Sequence, residues 1–278
     1  MTYCVGLRLD DGLVFASDSR TNAGVDYVTT YSKMHVLTPA PDRTFVILSA
    51  GNLATTQAVV NRVRRDLDFP DGGENLLSAR YLFEAAEYLG RVSVGTQMQH
   101  SDALAKCNVS GETTLILGGQ IGDQPHGLFL IYPQGNYIEA SASTPYLQIG
   151  ETKYGKPVLD RVIRPDLSLE DGARLALVSL NSTAHSNTTV GPPFELSIFR
   201  SGRSGIAAHR VLGDHGDFLA ELEQAWRDGL NAVFTNLPRF DWEEGMSQDS
   251  MAFDEPSDGA VQQQAQVFSV NPGNFNGS

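Results

Sequence analysis

Apolar positions in the first fifty residues fall in short runs broken by Asp, Gly and Pro. Those runs predict strands at Thr2–Leu9, Leu13–Ser19, Tyr27–Thr30, Met34–Pro39 and Arg43–Ala50. The spacing then lengthens to three and four, as in Leu82, Ala85, Ala86 and Leu89, and predicts two amphipathic helices, Leu53–Leu67 and Leu76–Met98. Strands return at Thr113–Gly118, Gly127–Tyr132 and Asn136–Ala142, with "YPQGNY" turning a hairpin between the last two. A second helical pair follows at Thr152–Ile163 and Ser168–Ser182, with Ser168 as N-cap and Asp171 three residues on. Strands Phe194–Arg200 and Gly205–Leu212 precede a last helix, Phe218–Phe234. This order does not suit a parallel βαβ chain. It predicts an α+β architecture of two antiparallel sheets packed face to face, with helices outside each.

The first hairpin offers a register to test. With Asp10-Asp11-Gly12 as a three-residue loop and Gly12 at its positive-φ position, Leu9 faces Leu13, Leu7 faces Phe15 and Val5 faces Ser17. Arg8–Val14, Gly6–Ala16 and Cys4–Asp18 then share the other side, which makes Asp18 a diagonal neighbour of Thr2, about 7–8 Å away. A half-buried carboxylate there needs donors or a cation, and Lys33 is the candidate. The other reading of the same residues has Asp18 capping the turn "DSRTNAG" and Lys33 solvated at the surface. Spacing alone leaves both open.

Composition narrows the function classes. The 278 residues are 41% apolar and 19% charged, as in an ordinary soluble protein, and no apolar run is long enough to span a membrane. A net charge of −13 lacks the clustered Lys and Arg that nucleic acid requires, so basic or neutral partners are expected. There is no secretory signal pattern, and the two cysteines, Cys4 and Cys107, make no disulfide framework, which points to a reducing cytoplasm. Residues 240–278 carry −7 with no Lys or Arg, leaving −6 for residues 1–239. The expected organisation is therefore one domain, 1–239, and an acidic tail, 240–278. "QQQAQ" and "NPGNFNGS" suit a flexible end, whereas Phe240, Trp242, Met246, Met251 and Phe253 are anchors that would let its first half dock.

An N-terminal Thr2, then "GLVFASDSR" with Asp18 and Arg20, then Lys33, then "SAGNLA" with Gly51, closely resembles the β subunits of proteasomes and of the bacterial two-component protease HslV. "IGETKYGKPVLDR", "SNTTVGPP" and the acidic tail extend the resemblance to the bacterial proteasome-related Anbu family, over nearly the whole chain. The resemblance implies an N-terminal-nucleophile hydrolase fold, αββα in four layers, assembled into rings or open spirals. It implies Thr2 as nucleophile, Asp18 and Lys33 as its polar support, and the backbone N–H of Gly51 as oxyanion donor. It implies a peptide or amide substrate and no cofactor or metal. The likeness to HslV raises an ATPase partner, for which no docking motif is legible. By the same analogy Tyr31, Lys33, Ser49 and Leu53 border the substrate pocket.

The chemistry accounts for those residue types. A threonine hydroxyl needs a base beside it, and a free α-amine, with a pKa of about 7.7–8.0, carries that base on the nucleophile itself. Lys33, kept cationic by Asp18, favours the neutral amine, and a backbone N–H stabilises the oxyanion. All this requires loss of Met1, which the small Thr2 suits, rather than autocatalytic removal of a longer propeptide. The supporting shell departs from the family: Gly150-Glu151-Thr152 replaces a Gly-Ser-Gly, and "SNTTVG" stands near the place of an Asp-x-x-Ser-Gly element. Glu151, Ser186, Asn187 and Thr189 are the residues available there.

Other features carry blander expectations. His35, His100, His126, His185, His209 and His215 lack the spacing of zinc ligands. There is no G-x-S-x-G elbow for Ser-His-Asp catalysis. "LGGQIG" matches no nucleotide fingerprint and is expected to be a turn between strands. Cys4 is expected to be a small buried strand residue rather than a reactive thiol. The sequence thus points to a homo-oligomeric threonine peptidase or amidase. The competing readings are a specialised amidohydrolase or peptide-tailoring enzyme on the same fold, and a non-catalytic scaffold.

Overall fold

A computed structural model describes residues 2–22, 28–70, 73–213 and 216–243. Twelve strands and six helices are assigned among them: β1 (Tyr3–Leu9), β2 (Gly12–Asp18), β3 (Arg20–Asn22), β4 (Val28–Thr30), β5 (Met34–Ala40), β6 (Arg43–Gly51), α1 (Leu53–Asp68), α2 (Leu82–Gln99), α3 (Ser101–Lys106), β7 (Thr113–Ile121), β8 (Gly127–Ile131), β9 (Tyr137–Glu139), β10 (Tyr146–Gly150), α4 (Lys156–Val162), α5 (Leu169–Ser186), β11 (Phe194–Arg200), β12 (Ala208–Leu212) and α6 (Asp217–Thr235). Residues 1–229 form one compact unit and 230–278 a second.

The strands make two five-stranded antiparallel sheets, ordered β10-β1-β2-β11-β12 and β5-β6-β7-β8-β9, plus the small pair β3-β4. Three apolar layers give the expected αββα stack. Val5, Leu7, Val14 and Ala16 pack against Leu159 of α4 and Ala173, Ala176 and Leu180 of α5. Phe45, Ile47, Leu115 and Leu117 pack against Val59, Val63, Ala86 and Leu89 of α1 and α2. Leu13, Phe15, Val46, Leu48 and Ile116 fill the space between the sheets. The Ser168 cap is present, with its hydroxyl 3.0 Å from the Asp171 N–H, and "YPQGNY" turns at Gly135, φ +86°.

Several expectations need correction. The first hairpin has a two-residue loop, Asp10-Asp11, and its register pairs Leu9 with Gly12, Leu7 with Val14 and Cys4 with Ser17, one residue from the register expected. Gly12 is not a loop residue. It opens β2 at φ +149°, where a Cβ would lie 2.1 Å from the Phe199 carbonyl oxygen of β11. Both faces of β1 and β2 are covered, one by α5 and one by the second sheet, so no polar face exists to fix the register.

The second helix begins at Leu82 and not Leu76, because the Asn75 side chain accepts from the N–H groups of Leu77 and Ser78 and makes a turn of that stretch. The first five residues of "LGGQIG" lie within β7 and only Gly122 enters the turn that follows: a Cβ on Gly118 would meet the Phe15 ring at 2.5 Å, so glycine there admits the opposite sheet. Strands β3 and β10 and helix α3 were not expected. Tyr27, Met1, His215, Met246, Met251 and Phe253 lie outside the described residues, as does most of the tail whose docking was in question. Among the described residues no helix is long and apolar enough to cross a membrane.

Candidate active site

The predicted site residues stand at or beside strand ends. Tyr3 opens β1 and Asp18 closes the antiparallel β2, while Lys33 stands one residue before β5 and Gly51 closes the antiparallel β6. One bond within the second sheet and one contact between the sheets hold the Lys33 segment near β1. The Ser49 N–H of β6 donates to the Lys33 carbonyl at 3.0 Å, and the Cys4 thiol of β1 reaches the Ser49 carbonyl at 3.7 Å.

The centre of the site is an ion pair. Lys33 Nζ lies 2.6 Å from Asp18 Oδ1, with the two side chains 6% and 0% exposed. Lys33 Nζ also donates to the Arg20 carbonyl at 2.7 Å, and the same Asp18 oxygen accepts the Tyr3 N–H at 2.9 Å. Asp18 therefore ties the lysine to the peptide that follows Thr2. Burial pushes the Asp18 carboxyl up, while Lys33 and the N–H groups of Tyr3 and Gly191 pull it back. The geometry selects the paired reading of Lys33 over the solvated one. It also corrects the expected diagonal placement: one step beyond the last hairpin pair, Asp18 stands opposite Tyr3, not beside Thr2.

Thr2 itself is half-buried, and its carbonyl accepts the Glu151 N–H at 2.7 Å. Gly150 makes that contact feasible, since at φ +85° a Cβ would lie 1.9 Å from the Thr2 oxygen. Gly51 is comparably constrained, at φ +115° with the Glu112 carbonyl 2.3 Å from any Cβ. Glu151 is buried, and its Oε2 accepts from Asn187 Nδ2 at 3.1 Å. Asn187 Oδ1 in turn accepts from the Thr189 N–H at 3.0 Å and its hydroxyl at 2.6 Å. Three of the four shell residues named from sequence thus form one chain beside Thr2; Ser186 closes α5 outside it.

Cys4 is fully buried and burial pushes its thiol up, as suits the small buried strand residue expected there. Two of the histidines bond away from it: His126 Nε2 meets the Leu9 carbonyl at 2.8 Å, and His209 Nδ1 meets the Ser197 hydroxyl at 2.7 Å. Sequence reasoning missed Glu195, a buried carboxylate of β11 whose Oε2 bonds the Ser32 hydroxyl at 2.8 Å. Its signal was one acidic residue inside "FELSIF", a run otherwise suited to a covered strand.

No protein-family model matches the chain, and no curated protein does. Solved structures do. A mutant Anbu from Hyphomicrobium sp. strain MC1 is 40% identical over 87% of this chain and 100% of its own, with a TM-score of 0.80. Anbu, described as an ancestral beta-subunit, from Yersinia bercovieri is 40% identical over 86% of this chain and 98% of its own, also at 0.80. The Anbu complex from Pseudomonas aeruginosa, solved as a helical assembly, is 38% identical over 86% and 98%, again at 0.80.

Proposed function

Because the chain belongs to the Anbu family of proteasome-related proteins, we propose that it is an N-terminal-nucleophile hydrolase that cleaves a peptide or amide bond with Thr2. The observation that carries this reading is the buried Lys33–Asp18 pair, whose acceptor oxygen also holds the Tyr3 N–H next to Thr2. Once Met1 is removed, the Thr2 α-amine takes the hydroxyl proton as Oγ attacks the substrate carbonyl. Lys33, paired with Asp18, favours the neutral, basic form of the amine. The Gly51 N–H stabilises the oxyanion, and collapse expels the amine product with the transferred proton. Water then hydrolyses the acyl ester left on Thr2 and regenerates the hydroxyl.

Self-association into a ring or open spiral belongs to the same proposal, supported by the helical assembly of the Pseudomonas aeruginosa relative. A cytoplasmic setting suits the two free cysteines, Cys4 and Cys107. An ATPase partner would be sought by co-purification with the full chain. The Glu151–Asn187–Thr189 chain favours a second reading of the same chemistry, a specialised amidohydrolase that leaves generic peptides intact.

Intact mass and covalent labelling test the proposal together. Protein whose mass shows loss of Met1 should gain one equivalent of a peptide epoxyketone at Thr2, and the Thr2→Ala protein none. Absence of the adduct in protein proven to begin at Thr2 would overturn the mechanism. Turnover of fluorogenic peptides then separates the peptidase from the specialised amidohydrolase.

A further inference from the structure

Glu195 is a buried charge without a cation. It is 8% exposed, on a strand paired on both sides, and among the described residues no Lys, Arg or His lies within ion-pair distance of it. Burying a carboxylate costs several kcal/mol unless bonds or charges compensate, and apolar side chains of the same volume usually serve stability better. What Glu195 does have is Ser32. Its Oε2 lies 2.8 Å from the Ser32 hydroxyl, which also lies 2.9 Å from the Met34 carbonyl and 3.3 Å from the Met34 N–H. One hydroxyl has one proton, and a carboxylate is a stronger acceptor than an amide carbonyl. Ser32 therefore donates to Glu195 and accepts from Met34.

This bond closes a clamp around Lys33. The segment before β5 is held at Tyr31, whose N–H donates to the Ser19 carbonyl at 2.9 Å, and at Lys33, whose carbonyl accepts the Ser49 N–H at 3.0 Å. Between them, Ser32 is fastened through its side chain to β11. The row Cys4, Ser17 and Glu195 crosses three adjacent strands on the face turned to the second sheet, and the fields of Lys33, Asp18 and Glu195 all act on Cys4. The carboxylate thus belongs to the same buried polar neighbourhood as the lysine.

We propose that Glu195 is a positioning residue: through Ser32 it fixes the backbone from which Lys33 reaches Asp18. This rests on the reading of Lys33 as part of the catalytic apparatus. Glu195 makes no hydrogen bond or ion pair with Lys33 or Thr2 among the described residues, and its effect passes through one hydroxyl and one turn of chain. Displacements of about 1 Å in such a support cost up to about a hundredfold in rate.

The test uses the full chain with Met1 removed, in the variants Glu195→Ala, Glu195→Gln, Ser32→Ala and the double Glu195→Ala/Ser32→Ala. The rate of epoxyketone addition to Thr2 should fall about tenfold or more in each single alanine variant, and no further in the double. Glu195→Gln, which keeps an acceptor for Ser32, should recover most of the rate. Amide hydrogen exchange at Ser49 should quicken in Glu195→Ala and not in Glu195→Gln. Multiplicative losses in the double variant, or unchanged Ser49 exchange in Glu195→Ala, would overturn the proposal. If the parent protein takes no adduct, the hydrolase reading falls, while Ser49 exchange still decides whether Glu195 holds the Lys33 segment.

Discussion

Two buried carboxylates flank the first residues of β1, and they are stabilised in different ways. Asp18 has a full cation at 2.6 Å and a backbone N–H at 2.9 Å, both supplied by segments that the strand pairing holds in place. Glu151 has a neutral amide at 3.1 Å, while its cation, Lys153, stands 3.8 Å away with a side chain 77% exposed. The first assembly spans two sheets, and the second joins the end of β10 to the loop after α5. A charge compensated inside the sandwich cannot be altered on one side alone. A carboxylate held mainly by a neutral donor can exchange partners at lower cost.

The largest predicted effect breaks the first assembly. Lys33→Met leaves Asp18 buried without its cation and should cost about 3–5 kcal/mol of stability, together with all labelling at Thr2. Asp18→Asn/Lys33→Met removes both charges while an amide oxygen still accepts the Tyr3 N–H. Thermal unfolding should show the double variant regaining most of the lost stability, and intact mass should show it still unlabelled. A double variant as unstable as the single would mean that packing, not charge, holds this end together.

The next effect acts on β5, the strand that follows Lys33. Burial, with Arg64 nearby, lowers His35 from 6.5 to about 4. The folded protein therefore holds this ring neutral while the unfolded chain protonates it first. Its contribution is complete above about pH 6.5 and is lost as pH falls towards 4, by at most about 3 kcal/mol. Denaturant midpoints measured from pH 7 to pH 4 should fall, and His35→Gln should flatten that slope. An unchanged slope would place the acid sensitivity elsewhere.

How much of this was legible depended on what each pattern had to distinguish. Thr2, Asp18, Lys33 and Gly51 lie at strand ends, and run lengths locate strand ends well: β5 begins at Met34 as the pattern predicts, and β6 runs one residue past Ala50. The hairpin register was not legible, because Leu7 and Phe15 are both apolar and both buried, yet on opposite faces. β10, "YLQIG", carries no legible element, since five residues hold too little periodicity to separate strand from loop. Glu195 passed unnoticed because its partner, Ser32, is 163 positions away in the chain.

The smallest effect sharpens the comparison from the other side. Glu151→Gln keeps an oxygen to accept from Asn187 and leaves the Glu151 N–H on the Thr2 carbonyl untouched. It removes a charge whose ion partner among the described residues, Lys153, is distant and solvated, and pairing to so exposed a cation contributes about 0–1 kcal/mol. The expected loss is therefore about 1 kcal/mol or less, seen as a small shift in the denaturant midpoint. Asn187→Ala should cost more, about 1–3 kcal/mol, because it strands the buried carboxylate and also releases Thr189. The order Lys33→Met, then Asn187→Ala, then Glu151→Gln follows from compensation alone. If Glu151→Gln matched Lys33→Met, the two assemblies would be equivalent, and Glu151 would have to be holding a charge on Thr2 itself.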